Sequence, residues 1–279
     1  MSVTADNVEV WSGKNRGDEN FPVGSILIGK DLRPHVHAYY AFARNADDIA
    51  DSPELDAQEK VHRLDVMEAV LLGRQDGGSP SALRLRESLT RTKVNPVHAT
   101  DLLIAFRRDA TKKRYATIDE LYNYCRYSAV PVGRFLIDLH GESYDCYSAS
   151  DALCISLQIL NHMQDCTKDL EQLDRCYLPE ALMNHFGAAL SDLRGRKETP
   201  QLRRVFVTLL DRIDRLNQAA VELPELVRNR RLRLESAIIV GLARRLARRL
   251  AHNDPIANRV KLKRRDAVNS VLAACRFIW

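Results

Sequence analysis

Several features that mark other classes of protein are missing from this chain of 279 residues. It has no run near the roughly 20 apolar residues that a membrane-spanning helix needs, and its first twenty residues carry charges where a signal peptide is apolar. The six cysteines form no C-x-x-C pair and show no Cys/His zinc spacing. These absences argue against a membrane-spanning, secreted or zinc-binding protein and predict a cytoplasmic chain with reduced thiols.

Strand patterns are also absent, whereas helix signals are frequent. Hydrophobic residues make up 45% and charged residues 28%, which is ordinary for a soluble globular protein. Thr117 to Glu120 form a capping box, and several prolines follow residues suited to cap a helix. These caps are Ser52, Ser79, Asn95, Thr199 and Asp254. We predict an all-α fold of roughly ten helices, with a polar N-terminal extension over 1–18 and a single helical domain over 19–279.

The stretch Gln158–Tyr177 is predicted to be a helix, because its apolar residues recur at helical spacing without proline or glycine. On such a helix Asn161, Asp165 and Asp169 lie one above another on a single face. Their oxygen atoms would suit a hard cation such as Mg²⁺. Taken alone, the pattern fits equally well a solvated face whose like charges are relieved by neighbouring basic residues.

A second stretch, Tyr39–Asp51, repeats the pattern with aspartates four residues apart at Asp47 and Asp51, while Asp48 points in another direction. The surrounding helix is rich in alanine, so uncompensated charges there would be costly. Two such helices, more than a hundred residues apart, predict a facing pair around a metal cluster. A diphosphate bridged by Mg²⁺ is a common third partner of such carboxylates.

Together these motifs resemble the squalene/phytoene synthase family, over residues 21–265. The matching positions are Arg44, Asp47, Asp51, Asn161, Asp165, Asp169, Arg175 and Tyr177. That family joins prenyl diphosphates head to head, or processes the joined product, within an all-helical fold. The resemblance implies an isoprenoid-synthase-type helical bundle with a central cavity, Mg²⁺ as cofactor and a prenyl diphosphate as substrate.

Three stretches are similar to the family branch of the bacterial hopanoid pathway: ENFPVGS at 19–25, CRYSAVPVGR at 125–134 and NHMQDCTKDLEQLDRCYLP at 161–179. This likeness implies a carbon–oxygen lyase that converts presqualene diphosphate to hydroxysqualene. Gln164 replaces an arginine common in the condensing members, which favours this one-substrate reaction. The alternatives are a transferase that condenses two prenyl diphosphates to squalene, presqualene diphosphate or phytoene, and a non-catalytic helical scaffold.

The resemblance also assigns roles to individual residues. Asp47, Asp51, Asp165 and Asp169 are the implied catalytic residues and, with Asn161, the implied metal ligands. The implied substrate-binding residues are Tyr40, Arg44, Tyr124, Gln158, Arg175, Tyr177 and Arg259. Tyr124 fits a core position equally well, and Arg259 matches with less support, because Asp254 stands where the family usually has a tyrosine.

Pro131 and Gly133 interrupt the apolar run Leu121–Leu139. Proline removes a backbone hydrogen bond, so we predict a kink or local unwinding of this helix. The resemblance implies that the break faces the prenyl chain.

The region from Leu226 to Trp279 holds 14 Lys/Arg and 3 Asp/Glu. Its helix Leu232–Ala251 carries a stripe of four arginines beside an apolar stripe. A solvated face of a packed helix is the favoured interpretation; docking on the anionic inner face of the cell membrane stays open. Nucleic acid is not expected, because the arginines are not interleaved with aromatic residues. The four arginines are Arg244, Arg245, Arg248 and Arg249.

Overall fold

The computed structural model describes residues 7–9 and 27–277. Over these residues it is helical, and its sole β feature is an isolated bridge between Arg114 and Cys176. The all-α prediction is confirmed. The ENFPVGS stretch at 19–25 and most of the expected extension lie outside the described residues, so the domain boundary at residue 19 stays a prediction.

Twelve α-helices and three short 3-10 segments make up the described part of the chain. The helices are α1 Arg33–Asp51, α2 Ala57–Leu71, α3 Pro80–Thr92, α4 Val97–Thr111, α5 Ile118–Ser128, α6 Val130–Leu139, α7 Tyr147–Leu173, α8 Glu180–Phe186, α9 Pro200–Ala220, α10 Leu223–Leu226, α11 Arg230–His252 and α12 Arg264–Ala274. The 3-10 segments are Tyr144–Cys146, Leu190–Arg194 and Cys275–Phe277. No helix of the described residues is long and apolar enough to cross a bilayer.

Most of the predicted helix starts are present. The side chains of Ser79 and Thr199 accept hydrogen bonds from backbone N–H groups in the first turns of α3 and α9. The Thr117 hydroxyl does the same for Glu120 at 3.2 Å. These caps satisfy amide groups that a helix terminus otherwise leaves without partners.

Two predicted caps are wrong. Ser52 ends α1 instead of opening α2, because Pro53 stops the first helix, and Asp56 caps α2 by accepting from Glu59 N at 2.8 Å. The Asp254 carboxylate accepts from the amides of two following residues, but it forms a turn and no helix begins there.

Two hydrophobic clusters form the core. One is built mainly from α1 to α4 with part of α6, and the other surrounds α7 with α5, α9 and α11. Burying each large apolar side chain contributes about 1.5–3 kcal/mol. Helix α1 therefore belongs to one cluster and α7 to the other, and a cavity lies between them.

The predicted break at Pro131 is confirmed. Ala129 leaves helical geometry (φ −129°, ψ −44°), and it separates α5 from α6 with Pro131 in the first turn of α6. A Cβ on Gly133 would lie 2.4 Å from Ser150 Oγ and 2.7 Å from Cys154 Sγ. Only a residue without a side chain lets α6 approach α7 this closely.

The arginine stripe of α11 is divided between two environments. Arg245 donates to Ser270 Oγ at 3.2 Å and Arg249 to Asp266 Oδ2 at 2.7 Å, so both are covered by α12. Arg244 and Arg248 are exposed. The solvated-face interpretation is therefore wrong for half of the stripe, because α12 packs against that side of α11.

Candidate active site

A largely apolar cavity of about 350 Å³ separates α1 from α7, within the size range of ligand pockets. One stripe of α7 forms a wall that spans ~16 Å, given the ~1.5 Å rise per helical residue. The stripe consists of Ser150, Leu153, Cys154, Leu157, Gln158 and Asn161. Near its Ser150 end, Asp138 hydrogen-bonds the Tyr147 hydroxyl at 2.6 Å and His98 Nε2 at 2.7 Å. These three side chains lie outside the cavity lining, whose body is largely apolar.

Six residues with predicted roles line this cavity. Helix α1 contributes three of them, α5 one and α7 two, so both aspartate-bearing helices face the same space. The facing arrangement predicted from the sequence is present. The six residues are Tyr40, Arg44, Asp47, Tyr124, Gln158 and Asn161.

The other three acids, Asp51, Asp165 and Asp169, lie beyond this lining, one or two turns further along the same faces. Burial raises the pKa of Asp169 to about 7, and the negative charges of Asp165 and Asp51 add to the effect. Because Asp51 belongs to α1 and Asp169 to α7, the carboxylates of the two helices are close enough to repel each other. We call Asp47, Asp51, Asn161, Asp165 and Asp169 the acidic end of the cavity.

Two arginines neutralise part of the acidic end. Arg175, 3% exposed, donates from Nη1 to Asp51 Oδ1 at 2.5 Å and from Nη2 to the Ala50 carbonyl at 2.9 Å. Arg259 forms a two-pronged pair with Asp165, Nε–Oδ1 at 2.5 Å and Nη2–Oδ2 at 2.8 Å. Both arginines were predicted to bind a diphosphate, and both lie beside the acids that would hold its metal.

Arg44 lies at the cavity wall between two acids. It contacts Asp47 Oδ2 at 3.2 Å and Asp48 Oδ1 at 2.6 Å. Asp48 is 5% exposed and, unlike Asp47, does not line the cavity. The buried Asp48 carboxylate fixes the guanidinium in place, which the sequence analysis did not foresee.

Tyr124 and Tyr177 share one buried acid that the sequence analysis missed. Their hydroxyls donate to Asp109 at 2.7 Å and 2.9 Å, respectively. Burial raises the pKa of Asp109 to about 6, although Arg175 and the two tyrosines act in the opposite direction. The available signal was an aspartate on the apolar side of α4. The Tyr177 hydroxyl is therefore engaged in the core, and its role toward substrate stays a prediction.

Helix α7 links this core network to the cavity through His162. Its ring stacks on Tyr177 with centroids 3.7 Å apart, and its Nε2 lies 3.2 Å from Gln158 Nε2. Burial lowers the pKa of His162 to about 3, and the charge of Arg175 lowers it further. His162 is thus a neutral packing group that orients the cavity-lining Gln158.

The acidic end fits a hard divalent cation by its chemistry. Its carboxylates and the Asn161 amide offer oxygen atoms, which Mg²⁺ prefers. Burial, and after it the charges of Asp165 and Asp51, raise the pKa of Asp169, and a bound cation would counter both effects. Over residues 7–9 and 27–277, however, no group of three or more aspartate, glutamate, histidine or cysteine side chains is arranged to coordinate a metal ion. Metal binding would require Asp51 and Asp165 to exchange their arginine partners for the ion.

Solved structures share this fold. The chain is similar to the squalene synthase HpnC from Alicyclobacillus acidocaldarius, with a TM-score of 0.74 and 32% identity over 85% of this chain and 91% of that one. A dehydrosqualene synthase matches with a TM-score of 0.78 at 22% identity, covering 94% of this chain and 92% of that one. At that identity the second likeness supports the helical fold alone.

Curated relatives match over nearly the whole chain. Proteins named hydroxysqualene synthase are 46% identical in Rhodopseudomonas palustris, covering 91% of this chain and 87% of that protein, and 42% identical in Sinorhizobium fredii, covering 88% and 84%. A third, from Zymomonas mobilis, is 38% identical and covers 94% and 89%. A squalene/phytoene synthase family model matches residues 14–266. The chain therefore belongs to the squalene/phytoene synthase family.

Proposed function

We propose that this protein converts presqualene diphosphate to hydroxysqualene. Three relatives that carry the name hydroxysqualene synthase match it over 84–89% of their own length, which supports this reaction over others of the family. The product is an alcohol, so the chain has to release a diphosphate, protect a carbocation and admit one water molecule.

The observation that carries the proposal is the placement of the acidic end at one end of an apolar cavity. Asp47 and Asn161 face each other across the cavity, and Asp51, Asp165 and Asp169 continue the two faces outward. An amphiphile with an anionic head and a long hydrocarbon body matches this division. Each methylene buried in the cavity contributes about 0.8 kcal/mol to its retention.

The same five oxygen-bearing residues would hold Mg²⁺. When bound, Mg²⁺ would neutralise the diphosphate leaving group and so favour its departure. Arg175 and Arg259, once released from Asp51 and Asp165, would donate charge-assisted hydrogen bonds to diphosphate oxygens. Arg44, held by Asp48, is positioned for the same role from the α1 side.

The remaining cavity residues act on the hydrocarbon. The apolar part of the wall excludes bulk water while the carbocation rearranges, and Tyr40 and Gln158 lie about one helical turn from Arg44 and Asn161. Water then adds to the cation to form the alcohol. No reductant is needed for this sequence, because the substrate is not reduced.

Product analysis tests the proposal. Purified protein incubated with presqualene diphosphate and Mg²⁺, with and without NADPH, should give hydroxysqualene in both cases, and EDTA should abolish turnover. Asp47→Asn or Asp165→Asn should lower turnover strongly while the helix content measured by circular dichroism stays the same. Asp211→Asn, an exposed change on α9, is the control.

Two outcomes would contradict this assignment. Efficient condensation of two farnesyl diphosphates would make the protein a condensing transferase. Failure to act on either substrate, by a folded protein supplied with Mg²⁺, would favour the helical scaffold.

We also propose that α11 and α12 contact an anionic membrane surface, where so apolar a substrate and product would reside. Arg244 and Arg248 are exposed on α11, and α12 exposes Val268 at 57% and Leu272 at 66%. Each basic residue near such a surface contributes about 1 kcal/mol. Flotation with anionic liposomes should recover the protein at low salt but not the Arg244→Glu/Arg248→Glu variant, whereas Arg91→Glu on α3 should float normally. Absence of the wild type from the lipid fraction at low salt would refute the proposed membrane contact.

A further inference from the structure

Glu235 places a second carboxylate in the wall of the cavity, away from the acidic end. It lies on α11, is 5% exposed and lines the cavity. Its neighbours on the same helical face are Leu232, Ser236 and Ile239, at the spacings that share one side of a helix. Its carboxylate is therefore an acidic group within a largely apolar wall.

Hydrogen bonds between helices fix the depth of Glu235. Arg203 on α9 donates to the Leu250 carbonyl of α11 at 3.0 Å, and Asn217 accepts from Ser156 of α7 at 2.8 Å. Helices α9 and α11 pack together, and the start of α9 at Arg203 contacts the end of α11, so the two helices run in opposite directions. Counting ~1.5 Å per residue along both helices brings Glu235 roughly level with Ser156.

That level is the middle of the cavity. Ser156 precedes Asn161 by five residues on α7, or ~7.5 Å along the helix. Glu235 therefore lies inward of the acidic end, beside the hydrocarbon part of a bound substrate. In the proposed reaction, the carbons that carry positive charge after the diphosphate has left would lie on this inner side of the head group.

Other ionisable side chains in the cavity wall are poorly suited to accept a proton there. Burial raises the pKa of the Cys154 thiol to about 12 and raises the pKa of the Tyr39 and Tyr124 hydroxyls. Asp47 belongs to the acidic end, where it contacts Arg44. Asp47 and Glu235 are the carboxylates among the cavity-lining residues that the structure describes, and Glu235 is the one away from the acidic end.

We propose that Glu235 is the base that takes the proton from the water molecule that captures the carbocation. This inference rests on the proposed function. A lone pair of the water oxygen forms the new C–O bond, and one O–H bond breaks with its electron pair left on oxygen. The proton passes to the Glu235 carboxylate, while the diphosphate has already departed with the electron pair of its own C–O bond. The protonated Glu235 then returns its proton to solvent before the next turnover.

The Glu235→Gln variant tests this role, because it keeps the side-chain shape and removes the base. With presqualene diphosphate and Mg²⁺ in ¹⁸O-water, two quantities are measured: the rate of diphosphate release and the share of labelled alcohol among the products. We expect diphosphate release within about threefold of the wild type and an alcohol share lowered by about tenfold or more. The cation would instead lose a proton from a neighbouring carbon and give hydrocarbons. Glu225→Gln, an exposed change on α10, should leave both quantities unchanged.

An unchanged alcohol share in Glu235→Gln would overturn the inference, and so would loss of diphosphate release by a folded variant, because Glu235 would then act at ionisation. If Glu235→Gln does not fold, Glu235→Asp is tested by the same share of labelled alcohol among the products. The shorter carboxylate should lower this share, and an unchanged share would refute the role. A wild type that makes no alcohol would refute the proposed function itself, which separates the two failures.

Discussion

Arg175 Nη1 lies 2.5 Å from Asp51 Oδ1 and joins the last residue of α1 to the segment that follows α7. The contact links two parts of the chain that are 124 residues apart. It holds the two acid-bearing helices together when their carboxylates would otherwise repel. Arg175 therefore has a structural role before any substrate arrives.

Arg175→Gln should destabilise the protein strongly. Removing one partner of a buried ion pair leaves an uncompensated charge, which typically costs 3–5 kcal/mol, so we expect a loss of about 3 kcal/mol or more in the free energy of unfolding. Urea denaturation followed by circular dichroism measures it. Arg259→Gln is the matched comparison: its pair with Asp165 is more exposed and should cost about 1 kcal/mol or less. Equal losses in the two variants would contradict this difference.

Asp169→Asn should stabilise the metal-free protein while lowering its activity. With a folded pKa of about 7, Asp169 favours folding less as the pH rises through that value, because its ionised form is buried beside Asp165 and Asp51. At pH ~8 in EDTA we expect the variant to melt about 2–4 °C higher, the effect of ~1 kcal/mol in a large domain. The gain should vanish at pH ~5.

Differential scanning calorimetry measures this shift. Glu171→Gln, an exposed change on the same helix, should leave the melting temperature unchanged. A lower melting temperature for Asp169→Asn at pH ~8 would show that its hydrogen bonding outweighs the repulsion.

Asp109 should make the protein less stable as the pH rises. An aspartate whose pKa is lowered by an ion pair has the opposite effect. Its pKa is about 6 in the folded protein and about 3.9 in an unfolded chain. The stabilisation it provides is complete below pH ~4 and is lost as the pH rises through about 6. Relative to Asp109→Asn, the wild type should lose about 2 kcal/mol between pH ~4.5 and pH ~7.5.

Chemical denaturation at the two pH values tests this, with Asp211→Asn as an exposed control. The hydrogen bonds that Asp109→Asn loses to Tyr124 and Tyr177 should shift both values equally. A difference that stays constant with pH would rule out burial as the dominant influence on Asp109.

Gly133→Ala should destabilise the contact between α6 and α7. The new methyl group would meet Ser150 Oγ and Cys154 Sγ well inside normal contact distances, and overpacking of this kind costs about 1–3 kcal/mol. The triple variant Gly133→Ala/Ser150→Ala/Cys154→Ala should recover part of the loss. Gly29→Ala, where a methyl group meets nothing within 4 Å, is the control. Thermal melts compare the four proteins, and no loss in Gly133→Ala would mean that the helices separate at little cost.

The sequence allowed the helices and their acidic faces to be predicted because both depend on local spacing. Asp47 and Asp51 share a face of α1, and Asn161, Asp165 and Asp169 share one of α7, whatever the tertiary fold. The break at Pro131 follows equally from the chemistry of one residue. Local signals misled where proline follows a polar residue without a helix directly behind it, at Ser52 and Asp254, and where α12 covers part of the arginine stripe of α11.

The pairing of charges could not be predicted in this way. Arg175 and Asp51 are 124 positions apart in the sequence, and Tyr177 and Asp109 are 68 apart. Whether such residues form an ion pair or a hydrogen bond depends on contacts between distant parts of the chain. The depth of Glu235 depends likewise on how α11 packs against α9 and α7. Such contacts arise from packing of whole helices, which a periodic pattern in one segment does not encode.

The stripe of α7 between Asn161 and Ser150 also has a consequence for the length of the substrate. With its head group fixed at the acids, a prenyl arm lying along this wall has ~16 Å before it passes Ser150, the last α7 residue of the lining. A longer arm would have to leave the lined cavity or fold back on itself. We therefore expect the length of this stripe to limit the number of isoprene units in the prenyl diphosphates that bind.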